Sequence, residues 1–565
     1  MDHLLYGVAY YDEYMPEERL HKDVAMMKKA GINTVRIAES TWSTCEPQEG
    51  VFDFSHVERV LDAMNAEFGL DYWSNRVNEW EDFPDVRGTI NGSLGAEFEK
   101  FQRSLVDEFL SWQAGIVREY KREDQFITQN FDLEWRGHSF GVQPNVNHFH
   151  AAKCLTIAGI DIYHPSQEDL TGREIAFGGD LARSLKGDNY LLIETEAQGF
   201  PDWLPYKGQL RLQAYSHIAS GANSVMYWHW HSLHNAVETY WKGLLSHDFE
   251  ENAVYREACG IGKEFAEIGD HLVNLKKTNP VAIMVSNEAL TALKWFPIHE
   301  RAGLGQFGYN DVVRWVYDTL YHMNVECDFI WPESQNLERY DVIIVPALYA
   351  APDALLQRLN DYVEAGGNLI MTFKSAFTNE NIKVSHEVQP HIVSKCLGVR
   401  YHQFTYPKNT ALSGSAFYVG EGENQAKGFM ELLIPEGAEV LARYDHTNWK
   451  DYAAVTQNQF GKGSAVYIGC MTSETMLREI LTYVFRKAGL EHLLTDIAWP
   501  VVVRKGRNQA GNIVRFYFNY SPDEQDVEYV WETGQELLSK NTVEKGQVIQ
   551  LPPWGFMIIE AGAQE

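Results

Sequence analysis

Through the first half of the chain, short apolar runs ending in polar or aromatic residues alternate with stretches of helical periodicity. Leu5–Tyr10 runs straight into Tyr11-Asp12. A helix follows with Leu20, Val24 and Met27 on one face, closed by Gly31. Thr34-Val35-Arg36-Ile37 reads as the second strand, and Ser55-His56-Val57-Glu58 has the capping-box spacing that opens a helix through Met64. This alternation predicts a parallel sheet covered by helices. The pattern then stops. Residues 65–91 are rich in Gly, Asn, Asp and Trp and contain no strand-like run. A long helix comes next, with Phe98, Phe101, Leu105, Phe109, Trp112, Ile116 and Tyr120 on one face. Further strands are expected at Gln125–Asn130, Thr156–Tyr163, Tyr190–Glu194 and Ser224–Trp230, with a helix around Leu210–Ala219. That makes six strands where a (β/α)8 barrel needs eight, so the expected fold is a barrel-related one in which either two strands escape this pattern or two β/α units are lacking between Met64 and Phe98.

A second α/β pattern starts after Asn279-Pro280. Val281–Val285, Val342–Val345, Leu369–Thr372 and Ala465–Gly469 read as strands; Asp311–Met323, Ala354–Glu364 and Ser473–Ala488 read as helices. The pattern is that of a doubly wound unit, flavodoxin-like or amidotransferase-like. It holds no GxGxxG and no P-loop, so no nucleotide is assigned to it. The tail switches to period-two patterning, with strands at Ile513–Tyr520 and Trp554–Glu560, and reads as a small antiparallel β-sandwich. The expected domains are 1–278, 279–495 and 496–565.

The charge balance narrows the partners. Lys and Arg number 48 against 78 Asp and Glu, a net charge of −30, which repels phosphate backbones and anionic membrane surfaces. No apolar run is long enough for a membrane-spanning helix, and Met1-Asp2-His3-Leu4 does not open a signal peptide. Cys45, Cys154, Cys259, Cys327, Cys396 and Cys470 are scattered without CxxC spacing, which points to free thiols in a reducing cytoplasm.

Barrel enzymes place their chemistry at the C-terminal ends of the strands. Here those ends carry Tyr10-Tyr11-Asp12, Glu39 with Trp42, Gln129-Asn130, Asp161-Ile162-Tyr163-His164, Glu194 followed by Gln198 and Trp203, and Tyr227-Trp228-His229-Trp230-His231 followed by His234, Asn235 and Glu238. Carboxylates and amides bind hydroxyls, and indoles stack on the flat apolar face of a sugar, so the set suits glycoside recognition. His229, His231 and His234 lie close in sequence, yet no HExxH or carboxylate triad accompanies them. Hydrogen bonding to substrate or neighbouring carboxylates is expected of them, and no metal or cofactor.

GVAYYDEYMPEERLHKDVAMMKKAGINTVRIAESTWS, LLIETEAQGFPDW and YWHWHSLHNAVETYWKGLLSHD resemble the corresponding segments of family-42 glycoside hydrolases, bacterial β-galactosidases; NEALTALKWFP resembles the start of that family's second domain. The resemblance implies a catalytic barrel, an α/β domain that helps build a trimer, and a small β-sandwich. It implies retaining hydrolysis of β-D-galactosides with two carboxylates. ETEAQGF matches the nucleophile motif, which makes Glu194 the nucleophile. Trp203 and Glu238 match galactose-contacting positions, and Asn130, Trp230 and His231 are the further substrate-binding candidates.

The sequence departs from the family at one place. VERVLDAMN passes directly to AEFGLDYWS, between Met64 and Glu67, where relatives carry strands three and four, the Asn-Glu pair of the acid/base and any family zinc site. Asn78-Glu79 imitates that pair without following a strand. Glu39, Glu79, Glu134 and Glu238 are the carboxylates weighed as a replacement acid, and spacing selects none of them. Three readings follow: a hydrolase impaired by the missing acid, a non-catalytic galactoside-binding or assembly protein, and an inactive deletion product.

Overall fold

Three short strands open the chain: β1 (Gly7–Ala9), β2 (Thr34–Thr41) and β3 (Leu70–Ser74). They form a parallel sheet in that order, with Gly7 opposite Thr34 and Val35 opposite Leu70. The computed structural model describes residues 92–562 apart from 138, 236, 299–306 and 415; before residue 92 it describes 7–9, 20–29, 34–41, 70–74 and a few single positions. Met1–Asn91 with Val384–Glu387 make one compact unit and the remaining residues a second. β3 corrects the expectation that residues 65–91 hold no strand. Leu-Asp-Tyr-Trp-Ser is only five residues long and breaks alternation at the adjacent Tyr72 and Trp73, so no period-two signal marks it among its turn-forming neighbours. The expected helix through Met64 lies outside the described residues. The one over Leu20–Lys29 is present, with Leu20 and Val24 buried.

The second unit begins with the helix Gly92–Tyr120. Behind it come β4 (Asn130–Phe131), a hairpin of β5 (Glu134–Trp135) and β6 (Phe140–Gly141), then β7 (Gly159–Asp161), β8 (Leu191–Glu196) and β9 (Tyr227–Trp228). β4, β7, β8 and β9 pair in parallel in that order. The helices Arg173–Lys186, Gln209–Ala219 and Ala253–Leu272 follow β7, β8 and β9. Ile160, Ile162 and Leu192 are wholly buried, so the sheet has an apolar layer beneath the polar residues at its C-terminal ends. Gly159 lets the chain pass close to the segment before β4: a Cβ there would stand 2.5 Å from Thr128 Oγ1 and 2.6 Å from the Gln129 carbonyl. The described residues thus hold seven parallel strands in two sheets, against the six expected.

The long helix faces the other way from its hydrophobic pattern. Its buried residues are Gly92, Gly95, Ala96, Arg103 and Ala114. Gly92 lies against the Phe296 ring and Gly95 against the Trp295 indole, both too close to leave room for a Cβ. Arg103 Nη1 donates to Thr291 Oγ1 at 2.8 Å. The small-residue face is therefore the one that docks, on the helix Asn287–Trp295. The apolar stripe read from the sequence is open to solvent, with Phe101 50%, Phe109 54%, Trp112 60% and Tyr120 82% exposed.

Residues after 280 build an eight-stranded sheet. Its parallel part runs Asp328–Ile330, Val281–Met284, Val342–Val345, Asn368–Thr372 and Gly463–Ile468, so in chain order the strands lie 2-1-3-4-5; the antiparallel strands Ala453–Phe460, Glu439–Asp445 and Ala411–Ser413 extend it. Asp328–Ile330 and the antiparallel extension add to the strands read from sequence. Buried beside this sheet, the Glu431 carboxylate accepts from the Lys374 backbone N–H at 2.8 Å and the Tyr467 hydroxyl at 2.7 Å. The Lys374 ammonium stands 4.1 Å from the centre of the Phe429 ring.

Residues 501–561 form two antiparallel sheets around Tyr517, Tyr529, Val527, Ile549, Leu551 and Ile559. Buried charges tie the three parts of the second unit together. Asp180 Oδ1 takes Arg183 at 2.5 Å from its own helix and Arg504 at 2.5 Å from the C-terminal sheets. Arg183 reaches Asp328 at 3.0 Å, and Arg504 and Lys277 meet on Glu326 at 3.1 and 2.6 Å.

Candidate active site

The site grows from the C-terminal ends of β4, β7 and β8. In a regular strand residues two apart share a face, which places Glu194 and Glu196 on one side of β8; before them the ladder spends an extra residue, Ile193, between Leu192 and Glu194, and the alternation is interrupted. Leu192 is core, Glu194 is half-buried at the rim, and Glu196 is buried. Glu196 Oε1 stands 2.8 Å from His164 Nδ1, both side chains almost wholly enclosed. That pair raises His164 above the ordinary histidine value, the attraction of Glu196 outweighing the larger single effect of burial, which opposes it.

Glu194 keeps a different company. The Tyr163 hydroxyl donates to Glu194 Oε2 at 2.7 Å and the Asn130 amide to Oε1 at 3.4 Å. The same Asn130 Nδ2 donates to Asp161 Oδ2 at 3.0 Å. Asp161 lies directly opposite Glu194 in the β7–β8 ladder, after a register shift at Ile160. Burial is the main cause that pushes the Asp161 carboxyl up to about 7; the Glu194 charge adds to it and the Asn130 hydrogen bond opposes it. The Tyr163 hydroxyl is raised by burial and by its bond to Glu194, so it stays a donor at neutral pH.

A cluster of rings leads away from this carboxylate. Tyr163 meets Trp241 edge-on at 4.9 Å between centroids; Trp241 meets Phe200 at 4.2 Å and Trp203 at 6.0 Å, and Trp203 meets Trp135 at 5.5 Å. Trp203 is 4% exposed and Trp135 52%, so the inner ring is a packing element and the outer one offers a face. Gln198 is buried and fixes the loop after β8 by donating to the Gly243 carbonyl at 2.7 Å.

The sequence-derived candidates separate into groups. Glu194, Asn130 and Trp203 fall within this one connected arrangement. Glu238 is exposed and accepts from the Trp228 indole at 3.1 Å. Trp230 packs edge-on against Tyr255 at 6.1 Å, and His231 against Phe249 at 5.3 Å; their contacts run toward the loop after β9 and its helix. His234 bonds the His247 carbonyl at 2.8 Å. No group of three metal-ligating side chains occurs among the described residues. Of the carboxylates weighed as a replacement acid, Glu134 is taken by Asn310 at 2.6 Å and Arg136 at 3.5 Å. The Glu39 side chain and the whole of Asn78-Glu79 lie outside the described residues. Sequence reading placed Asp161 and Tyr163 at a strand end without assigning them a role, and passed over Trp241.

Comparison with known proteins identifies the family. The β-galactosidase profile of glycoside hydrolase family 42 matches residues 9–67 and 59–268, the β-galactosidase trimerisation domain matches 279–491, and the β-galactosidase C-terminal domain matches 501–561. The β-galactosidase bgaB of Geobacillus kaustophilus is 24% identical over 626 aligned positions, covering 89% of this chain and 90% of that protein. The β-galactosidase BgaA of Planococcus sp. (strain "SOS Orange") is 26% identical, covering 87% of this chain and 73% of its own. Among solved structures, the GH42 β-galactosidase Gan42B of G. stearothermophilus superposes with a TM-score of 0.77 at 18% identity over 99% of this chain and 98% of that one. The chain therefore belongs to glycoside hydrolase family 42, the β-galactosidases.

Proposed function

We propose that this chain hydrolyses terminal, non-reducing β-D-galactosides with retention of configuration, through a covalent galactosyl–Glu194 intermediate, and turns over poor leaving groups only as far as a carboxyl other than the family's Asn-Glu glutamate protonates them. The observation that carries the reading is the Glu194 carboxylate at the end of β8, oriented by the Tyr163 hydroxyl and the Asn130 amide. A retaining glycosidase needs such a positioned carboxylate to attack the anomeric carbon, and a second carboxyl about 5–5.5 Å away to protonate the departing oxygen. The Asn-Glu segment that supplies the second group in the family has no counterpart between Met64 and Glu67. General acid assistance is worth roughly 10²–10⁴-fold, and the substrates that lose most without it are those whose leaving oxygen needs protonation.

Two observations support missing barrel units. The family profile matches in two pieces that meet at residues 59–67. The alignment with the Geobacillus relative is longer, at 626 positions, than the 565 residues of the chain itself, so many of its positions are gaps on this side. The 2-1-3-4-5 strand order supports reading the second domain as flavodoxin-like. The match to a trimerisation domain over 279–491 supports a homotrimer and, with the C-terminal match, the division at 1–278, 279–495 and 496–565. The acidic charge and the scattered cysteines favour a cytoplasmic protein without nucleic-acid partners. No helix among the described residues is long and apolar enough to cross a membrane.

The test is a set of initial rates on aryl β-galactosides of graded leaving-group ability, with a Glu194→Ala control. Turnover of 2,4-dinitrophenyl β-galactoside that disappears in the control is the expected result. A folded wild-type protein without that turnover leaves the binding or relic readings standing instead.

A further inference from the structure

Resting on Glu194 as the nucleophile, we propose that Asp161 is the second carboxyl of this site, giving a proton to the leaving oxygen and then drawing one from water. Asp161 occupies the rung of the ladder opposite Glu194, and one amide nitrogen, Asn130 Nδ2, holds an oxygen of each at 3.0 and 3.4 Å. Both hydrogen bonds face solvent, which puts the two carboxyl groups on the side from which a substrate arrives.

The surroundings favour a proton on Asp161. Its other oxygen, Oδ1, is buried with no hydrogen-bond partner among the described residues, a poor seat for a full negative charge. Glu194 is beside it and Asp132 close enough to add repulsion, while among the described residues no arginine or lysine figures in the influences on it. Burial with these two charges pushes Asp161 up to about 7, the poise of a group that must donate in one half-reaction and accept in the next. Among the described residues, other carboxyls of these strands and loops are engaged elsewhere: Glu196 with His164, Glu134 with Asn310 and Arg136, and Asp132 with the Gln143 amide at 2.9 Å.

Atoms and protons balance across the two half-reactions. A Glu194 oxygen bonds to the anomeric carbon as the bond from that carbon to the leaving oxygen breaks, and the Asp161 proton passes to that oxygen. The Asp161 carboxylate then takes a proton from water, whose oxygen bonds to the anomeric carbon as the Glu194 ester bond breaks. Asp161 ends protonated and Glu194 ionised, as both began.

The experiment compares wild type with Asp161→Asn and Asp161→Ala on phenyl and 2,4-dinitrophenyl β-galactoside, with and without azide. The expected result is a fall in kcat/KM of about 10²-fold or more on the phenyl substrate and a far smaller one on the dinitrophenyl substrate. Azide should raise kcat of the variants on the dinitrophenyl substrate and yield β-galactosyl azide, because the small anion enters without a base. Equal losses on both substrates, with no azide product, overturn the proposal while leaving Glu194 as nucleophile. Absence of wild-type dinitrophenyl turnover, or its survival in Glu194→Ala, overturns both readings. The wild-type protein decides alone should neither variant fold. A basic limb near pH 7 in kcat/KM on the phenyl substrate that is missing on the dinitrophenyl one supports Asp161. Identical limbs on the two substrates overturn it.

Discussion

The Tyr163 hydroxyl donates a hydrogen bond to Glu194 Oε2 across 2.7 Å, joining the ends of two adjacent parallel strands. A hydrogen bond to a charged group of this kind is strong and directional. Tyr163→Phe is expected to lower kcat/KM on 2,4-dinitrophenyl β-galactoside by about ten- to a hundredfold without moving the unfolding midpoint much. Initial rates beside a thermal melt would measure both. An unchanged rate would mean that Asn130 alone orients Glu194.

The two tryptophans at the outer end of the ring cluster should behave differently. Trp135 is half exposed, and Trp135→Ala is expected to raise KM about tenfold with little loss of stability. Trp203 is buried against Phe200, Trp241 and Trp135, and Trp203→Ala should cost about 3–5 kcal/mol of stability as a cavity opens. Urea unfolding together with substrate saturation curves separates the two outcomes.

Glu431 inverts the usual carboxylate rule for stability. Burial raises it from 4.5 to about 7 in the folded chain. Below 4.5 both folded and unfolded states carry the proton. As pH rises from there toward 7 the unfolded state loses it first, so stability falls across that window and levels off above it. The fall attributable to this group is on the order of 3 kcal/mol. Urea midpoints between pH 4.5 and 8 should show it in wild type and a flatter profile in Glu431→Gln.

Asp180 holds two buried guanidinium groups, Arg183 and Arg504, that arrive from different parts of the fold. Asp180→Ala leaves both underpaired and should cost about 3–5 kcal/mol, more than the loss of an exposed ion pair. A cooperative shift in the denaturant midpoint is expected. A change within the error of the melt would mean that Glu326 and Asp328 carry the arginines by themselves.

How far the sequence reaches can be judged from these residues. Glu194 was legible because an unbroken apolar run, Tyr190 to Ile193, delivers it to a strand end. Asp161 was visible at its own strand end, but its pairing with Glu194 depends on ladder register, and a shift at Ile160 sets that register. No local pattern records such a shift. Trp241 lies in a loop with no periodicity to mark it, and its contact with Tyr163 is a product of folding. The expected strand Gln125–Asn130 shrinks to Asn130–Phe131, since hydrophobic runs tell where a chain is buried better than where it pairs. The buried charges around Asp180 look like ordinary surface residues in sequence, because their partners are far along the chain.

The exposed rings of the helix Gly92–Tyr120 give the chain a physical personality apart from its chemistry. Phe101, Phe109, Trp112 and Tyr120 form a greasy seam on a molecule otherwise kept apart from its copies by a charge of −30. Added salt shortens the reach of that repulsion, and salting-out anions strengthen the seam's tendency to leave water. Colloidal behaviour is then set by two opposed terms that the same buffer moves in the same direction, so handling conditions govern whether the protein stays dispersed.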